Sequence, residues 1–335
     1  MIRLAVIIIS LLIFANCSNS NKYNRFISET DTAYSADIRS VSAKINSDPS
    51  NPELYYLRAN AFFFEKNFKE AIADIQVALE INNQQPLYHY KLAECMLSQD
   101  SANAKASQEH LETALKLKPD YAEAKFFLAK LLLARQQYDK AIAFYKELEK
   151  IPDYRENAMI YESVAFREQK DTLKSLQYIE QVLKENPQNY NATMQFALLL
   201  IAQNKPTAKM WTQKAVNMNE YSDEAWYHLG LLNQKENAFK TAVENYERAL
   251  KINPSHVLAK YNIAVIESEF ENYNNALKLC YEIEEMRTNF DKGFILKGYC
   301  YEKLNNKKAA IESYKAALII NPQANLAKEG LMRLK

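Results

Sequence analysis

Small residues recur along the chain at a steady interval. Ala59, Ala93, Ala129, Ser163, Ala197, Gly230, Ala264 and Gly298 stand 34, 36, 34, 34, 33, 34 and 34 residues apart. A second series, Ala78, Ala114, Leu148, Val182, Ala215, Ala249, Ile283 and Ala317, keeps spacings of 36, 34, 34, 33, 34, 34 and 34. The two share their irregularities: a two-residue insertion around 99–103 and a one-residue deletion near Pro206. Pro49, Pro119, Pro187, Pro254 and Pro322 follow at two-repeat intervals. Such a period marks one supersecondary unit stacked on copies of itself. Each unit predicts a pair of amphipathic helices. The small residues sit where helices cross closely, and aromatics fill the gaps beside them. Proline begins the link to the next unit, where a missing N–H costs little. Pro206 is predicted to open a helix. The turn inside each pair needs a left-handed residue, and asparagine is expected to supply it at Lys66-Asn67, Glu236-Asn237, Glu271-Asn272 and Asn305-Asn306.

This pattern resembles the tetratricopeptide repeat. The clearest copy is Trp226-x-x-Leu229-Gly230, then Ala242-x-x-x-Tyr246, Ala249 and Pro254, with Asn233 where the family prefers an aromatic. Another is Phe294, Gly298, Tyr301, Ala310, Tyr314, Ala317 and Pro322. The first copy holds Tyr55, Ala59, Phe62, Ala71, Ile75 and Ala78, and the third Ala129, Leu132, Ala141 and Tyr145. The fourth and fifth are degenerate, with Ser175 and Val182 in place of alanines. The resemblance implies an all-α, right-handed superhelical solenoid of about eight helix pairs over 52–324. The units are 52–85, 86–121, 122–155, 156–189, 190–222, 223–256, 257–290 and 291–324. A helix within 32–48, with Ile38, Val41 and Ile45 at helical spacing, covers the first unit. A capping helix at 325–335 shields the last through Leu326, Leu331 and Leu334.

Composition narrows the chemistry. Four glycines in 335 residues leave no phosphate loop, since no G-x-G-x-x-G or G-x-x-x-x-G-K-[ST] occurs. Gly230 and Gly298 fit close helix crossings, whereas Gly293 and Gly330 have no assigned role. Lys and Arg total 42 against 41 Asp and Glu, so there is no basic excess for nucleic acid. Glu and Lys are expected to be solvated on helix faces or paired with neighbours. His89, His110, His228 and His256 are read as falling on separate repeats, without ligand spacing. No metal, cofactor or catalytic residue is expected, and the chain is not read as an enzyme. Cys95, Cys280 and Cys300 are read as buried thiols; a Cys280–Cys300 disulfide between adjacent repeats is the alternative.

The first 16 residues read as an address. Arg3 precedes the apolar run 4–14, too short for a comfortable span. Ile13-Phe14-Ala15-Asn16-Cys17 resembles a bacterial lipobox, although Phe14 and Asn16 depart from its usual residues. The resemblance implies a lipoprotein signal peptide, lipidation of Cys17, a tether over 17–31 and a lipid-anchored place in the cell envelope. The expected site is the outer membrane, facing the periplasm. An ordinary secretory signal and an uncleaved anchor are the alternatives.

In this family the first helices line a concave groove that commonly holds a peptide or partner helix. The residues just after each core aromatic are Tyr56, Tyr90, Phe126, Ile160, Met194, Tyr227, Tyr261 and Ile295, none charged. One turn on come Asn60, Glu94, Lys130, Val164, Leu198, Leu231, Val265 and Tyr299, and next Phe63, Leu97, Leu133, Arg167, Ile201, Gln234, Ser268 and Glu302. The middle of these rows, Ile160, Val164, Met194, Leu198, Ile201, Tyr227 and Leu231, is the expected apolar patch. Tyr56, Tyr90 and Phe126 occupy places where carboxylate-clamping repeats carry Lys and Asn, which argues against an acidic-tail ligand. The expected function is a scaffold or adaptor binding proteins through this groove. The alternatives are a chaperone-like carrier of exported or unfolded chains and a non-catalytic accessory subunit of an envelope enzyme, secretion or pilus machine.

Overall fold

The computed structural model describes residues 27–28 and 31–335. Cys17 and the apolar run before it lie outside the described residues. Among the described residues are eighteen α-helices and one short 3-10 turn. They divide into two compact units that meet in sequence at Asp171 and Thr172.

The first unit holds α1 (Ala36–Ser47), α2 (Pro52–Phe64), α3 (Phe68–Ile81), α4 (Pro86–Gln99), α5 (Ala104–Leu117), α6 (Ala122–Ala134), α7 (Tyr138–Leu148) and α8 (Pro152–Glu168). Here α2 packs on α3, α4 on α5 and α6 on α7, while α1 covers α2. The second unit holds α9 (Thr172–Glu185), α10 (Tyr190–Ala202), α11 (Ala208–Met218), α12 (Asp223–Lys235), α13 (Phe239–Ile252), α14 (Val257–Glu269), α15 (Tyr273–Met286), α16 (Asp291–Lys303), α17 (Lys307–Ile320) and α18 (Asn325–Arg333). Its pairs are α10 with α11, α12 with α13, α14 with α15 and α16 with α17; α18 closes on α16 and α17.

Every member of both small-residue series is buried. The glycines show why size matters there. A Cβ on Gly230 would sit 2.5 Å from Tyr246 Cε1, and one on Gly298 2.7 Å from Tyr314 Cδ1. Gly330, in the capping helix, presses on the other side of the same Tyr314 ring, so it does have a packing role. Gly293 lies close to Ile283 and Phe290.

Among the described residues, seven helix-to-helix turns use one left-handed residue: Lys66, Gln136, Lys170, Asn204, Asn237, Glu271 and Asn305. Asparagine supplies the geometry at Asn237 and Asn305 as expected, but Asn67 and Asn272 fall one place later. At the first turn Lys66 N donates to Phe63 O and Asn67 N to Phe62 O, the paired bonds of a Schellman end. The left-handed place is therefore Lys66, and Asn67 is the residue before α3. The second repeat lacks this turn. Its two-residue insertion forms the 3-10 turn Ser101–Asn103, started by Asp100 Oδ1 accepting from Ala102 N at 2.8 Å. Pro52, Pro86 and Pro152 open helices, whereas α11 starts only at Ala208, two residues after Pro206.

Candidate functional site

The first helix of each pair presents the uncharged ladder. Tyr56, Tyr90, Phe126, Tyr227, Tyr261 and Ile295 are half-buried, with part of each side chain open to solvent. Ile160 and Met194 are different, at 5% and 3% exposure. They are packing residues, so the expected apolar patch loses two of its members to the interior. Val164 in the first unit and Leu198, Ile201 and Leu231 in the second remain partly exposed. The degenerate middle repeats turn Ile160 and Met194 inward because buried apolar area is stabilising.

A hollow in the first unit lies nearer its beginning. It encloses about 530 Å³ between Phe63 of α2, Tyr90, Glu94, Leu97 and Ser98 of α4, Glu123, Phe126, Phe127 and Lys130 of α6, and Tyr154 of α8. α2, α4 and α6 are the first helices of their pairs and α8 packs on α7, so the stacking of successive helices itself builds the cup. Its rings brace each other edge to face. Phe126 stands 5.8 Å from Tyr154 and 5.4 Å from Tyr161, and Tyr90 6.0 Å from Phe127. Such contacts hold large apolar surfaces in fixed orientations.

Charges ring the cup. Lys91 donates to Glu94 at 2.8 Å and lies 3.9 Å from the Phe63 ring centre. Lys130 hangs over Phe126 and Tyr161 at 5.9 Å and 5.8 Å. Burial, helped by the Glu94 and Glu123 carboxylates, pushes the Tyr90 hydroxyl up to about 12. Burial and the Glu123 carboxylate also raise Tyr154. Both phenols stay neutral hydrogen-bonding groups at any ordinary pH. Sequence rows located Tyr90, Phe126, Phe63, Glu94, Leu97 and Lys130, whereas Ser98, Phe127, Glu123 and Tyr154 lie off the rows and were missed.

Two hollows of the second unit touch the ladder rows. One, about 300 Å³, is lined by Tyr261, Val265, Ile295, Tyr299, Tyr314 and the capping residues Leu326 and Arg333. Arg333 closes it with two bonds to Glu302, at 2.8 Å and 2.9 Å, while the Tyr314 hydroxyl donates to Glu302 at 2.8 Å. These donors hold the Glu302 carboxyl below its usual range. The other, about 460 Å³, takes in Ile201 and Leu231 but is bordered by Lys205, Lys209, Lys235 and Glu236.

Tetratricopeptide-repeat family models match residues 52–85 and 292–323, 96–155, and 223–256. The chain is a tetratricopeptide-repeat protein. A TPR repeat-containing protein of Methanocaldococcus jannaschii is 24% identical over 322 residues, covering 88% of this chain and 54% of its own. The Hsp70-Hsp90 organising protein of Plasmodium falciparum is 36% identical over 92 residues, 25% of this chain and 16% of its own. The chain spans less than two thirds of the length of the curated relatives it matches. Among solved structures, yeast Tom70 superposes with a TM-score of 0.61 at 14% identity, covering 97% of this chain and 70% of that one. A tetratricopeptide-repeat protein from Parabacteroides merdae gives 0.53 at 16% identity, covering 75% and 99%. At these identities the likeness is one of fold.

Not all charges of this tetratricopeptide-repeat protein are solvated, and Glu162 departs from the expectation that its glutamates are solvated or paired with neighbours. Arg58 and Asp74 form a buried two-bond pair at 2.7 Å each, and Arg58 also donates to Ser42 Oγ at 3.1 Å. Glu162 is fully buried, with neither carboxylate oxygen meeting a hydrogen-bond donor. Burial, then a hydrogen bond shared with Glu149, pushes its carboxyl up to about 9. The arrangement makes sense with a proton on Glu162 that Glu149 accepts.

The stability consequence has a definite sign. The raised group keeps its proton in the folded state between its ordinary 4.5 and about 9, while the unfolded chain releases it. Its contribution is complete below pH 4.5 and is lost as pH rises through 9. Glu162→Gln keeps a donor toward Glu149 without the proton. Its melting temperature is expected to exceed the wild type at pH 8–9, with the gap closing toward pH 5. Parallel melting curves across a pH series would contradict a protonated Glu162.

The three described cysteines are buried free thiols, with Cys280 and Cys300 in one apolar cluster. Burial pushes Cys95 and Cys280 up to about 12 and Cys300 to about 11, which suits small apolar side chains. The histidines are not all apart: His89 and His110 meet within the second repeat, Nδ1 to Nδ1, at 3.2 Å. No cluster of three or more metal-ligating side chains occurs among the described residues. No helix among them is long and apolar enough to cross a membrane.

Proposed function

We propose that this protein is a lipid-anchored scaffold of a bacterial envelope that holds a partner protein on the first-helix surface of its repeats, acting by binding and not by catalysis. The observation that carries the reading is the aromatic cup of about 530 Å³ around Tyr90 and Phe126. Rigid aromatic anchors in a partly open hollow are what binding hot spots are made of. The cup suits an apolar or aromatic side chain projecting from an extended or helical segment. Tyr56, Tyr90 and Phe126 stand where a carboxylate clamp would need Lys and Asn, so the segment is held along its length and not by its terminus. The envelope setting rests on Ile13-Phe14-Ala15-Asn16-Cys17. More than one acyl chain there would make a stable anchor.

A photoreactive residue at Phe126 or Tyr227 tests the groove in cells. One dominant crosslinked partner is the expected result. A smear of many clients would instead mark a carrier of exported chains. Crosslinks only from exposed second-helix positions such as Lys240 would sink the groove reading. For the anchor, a metabolic fatty-acid probe is expected to label the wild type and spare Cys17→Ser; equal labelling of both would refute lipidation there.

A further inference from the structure

We propose that His89 and His110 form a binding site for one divalent transition-metal ion, such as Zn²⁺, that staples the two helices of the second repeat. The two imidazoles come from α4 and α5 and both are half-buried, so water and ions reach them. Their Nδ1 atoms lie 3.2 Å apart. His89 Nε2 lies 3.1 Å from the Asn83 carbonyl oxygen, which only accepts, so that nitrogen carries the proton. Neutral His89 therefore offers its Nδ1 lone pair, and His110 fills the gap with its own Nδ1–H.

A metal ion fits in place of that shared hydrogen. Two metal–nitrogen bonds of about 2.05 Å to atoms 3.2 Å apart enclose an angle of about 103°. That lies between the right angle of an octahedral site and the tetrahedral angle, so the nitrogens are already at the correct separation. The rings need only tilt so that both lone pairs converge to one side of the line joining them. His110 moves its proton from Nδ1 to Nε2, and both rings stay neutral. The Asn83 carbonyl does for His89 what an outer-shell acceptor does in established metal sites: it fixes the tautomer and the ring plane. With two protein ligands, water fills the remaining positions, and imidazole ligation favours Zn²⁺, Ni²⁺ and Cu²⁺ over Mg²⁺ or Ca²⁺.

The location gives the site a consequence. This is the repeat whose turn was rebuilt by the insertion as a 3-10 segment, and the histidines cross the pair away from that turn. Tyr90 of the aromatic cup is the next residue after His89. A bound ion therefore steadies the helix that carries one wall of the cup.

The test is a competition titration of the tag-free full chain with Zn²⁺ against a chromophoric indicator. We expect one ion per chain, with His89→Gln and His110→Gln each weakening it about tenfold or more and His228→Gln leaving it unchanged. Zn²⁺ should raise the wild-type melting temperature and leave both single variants where they were. In ring-nitrogen NMR spectra of the wild type, Zn²⁺ should shift His89 and His110 alone. No binding at about 1 mM Zn²⁺, equal affinity in the variants, or shifts at His228 and His256 instead would overturn the proposal.

Discussion

Asp74→Ala is expected to destabilise the first unit by about 3–5 kcal/mol, read as a drop in the urea midpoint at unchanged slope. Arg58 is 1% exposed and Asp74 6%. Removing the carboxylate leaves a guanidinium in the interior with only Ser42 Oγ, 3.1 Å away, as a hydrogen-bond partner. That hydroxyl in turn donates to Ile38 O at 2.7 Å, so the network runs from α3 through α2 into α1. The loss therefore falls on the docking of α1, and proteolysis within 36–47 should accelerate. Arg58→Met with Asp74→Val removes both charges and nearly keeps the combined volume; this double variant should melt near the wild type. A single Asp74→Ala variant within about 1 kcal/mol of wild type would mean the pair is solvated and not buried.

Tyr314→Ala should cost about 3–5 kcal/mol in the second unit, the range for emptying an aromatic site. The ring is a wedge between Gly298 of α16 and Gly330 of α18, and its hydroxyl donates to Glu302. The glycines make a sharper test. In an ordinary helix, Gly→Ala gains about 1 kcal/mol from backbone entropy. At Gly298 the new Cβ would meet Tyr314 Cδ1 at 2.7 Å, and Gly330 stops the ring from yielding on the far side. Overpacking of that kind costs about 1–3 kcal/mol, so Gly298→Ala should destabilise the wild type. In the Tyr314→Ala background the obstruction is gone, and the same change should stabilise by about 1 kcal/mol. A thermal-melt cycle of the four proteins checks this reversal of sign. Additive effects would show that the ring does not hold its wedge position.

The repeat architecture was legible because its signal is local. Ala59 and Ala78, and their counterparts down the chain, are small for the same steric reason in every copy. The turns were legible only to within a residue: asparagine suits both the left-handed place, as at Asn237, and the position beside it, as at Asn67. Charges were harder. Arg58, Asp74 and Glu162 sit in helices whose other Lys, Arg, Asp and Glu are exposed or half-buried, and residue type does not distinguish a solvated carboxylate from a buried one. The candidate site was half legible. Tyr90 and Phe126 follow from the ladder, but Ile160 and Met194 occupy equivalent places and turn out buried.

What the sequence determined by itself is the succession of helix pairs, because period, small residues and prolines all act within one repeat or between neighbours. Only the tertiary structure decided which equivalent positions open into a hollow and which close, that Gly330 and Gly298 share one ring, and that His89 and His110 touch. Those outcomes depend on the volumes of side chains arriving from three or four helices at once. No single periodic pattern encodes that sum.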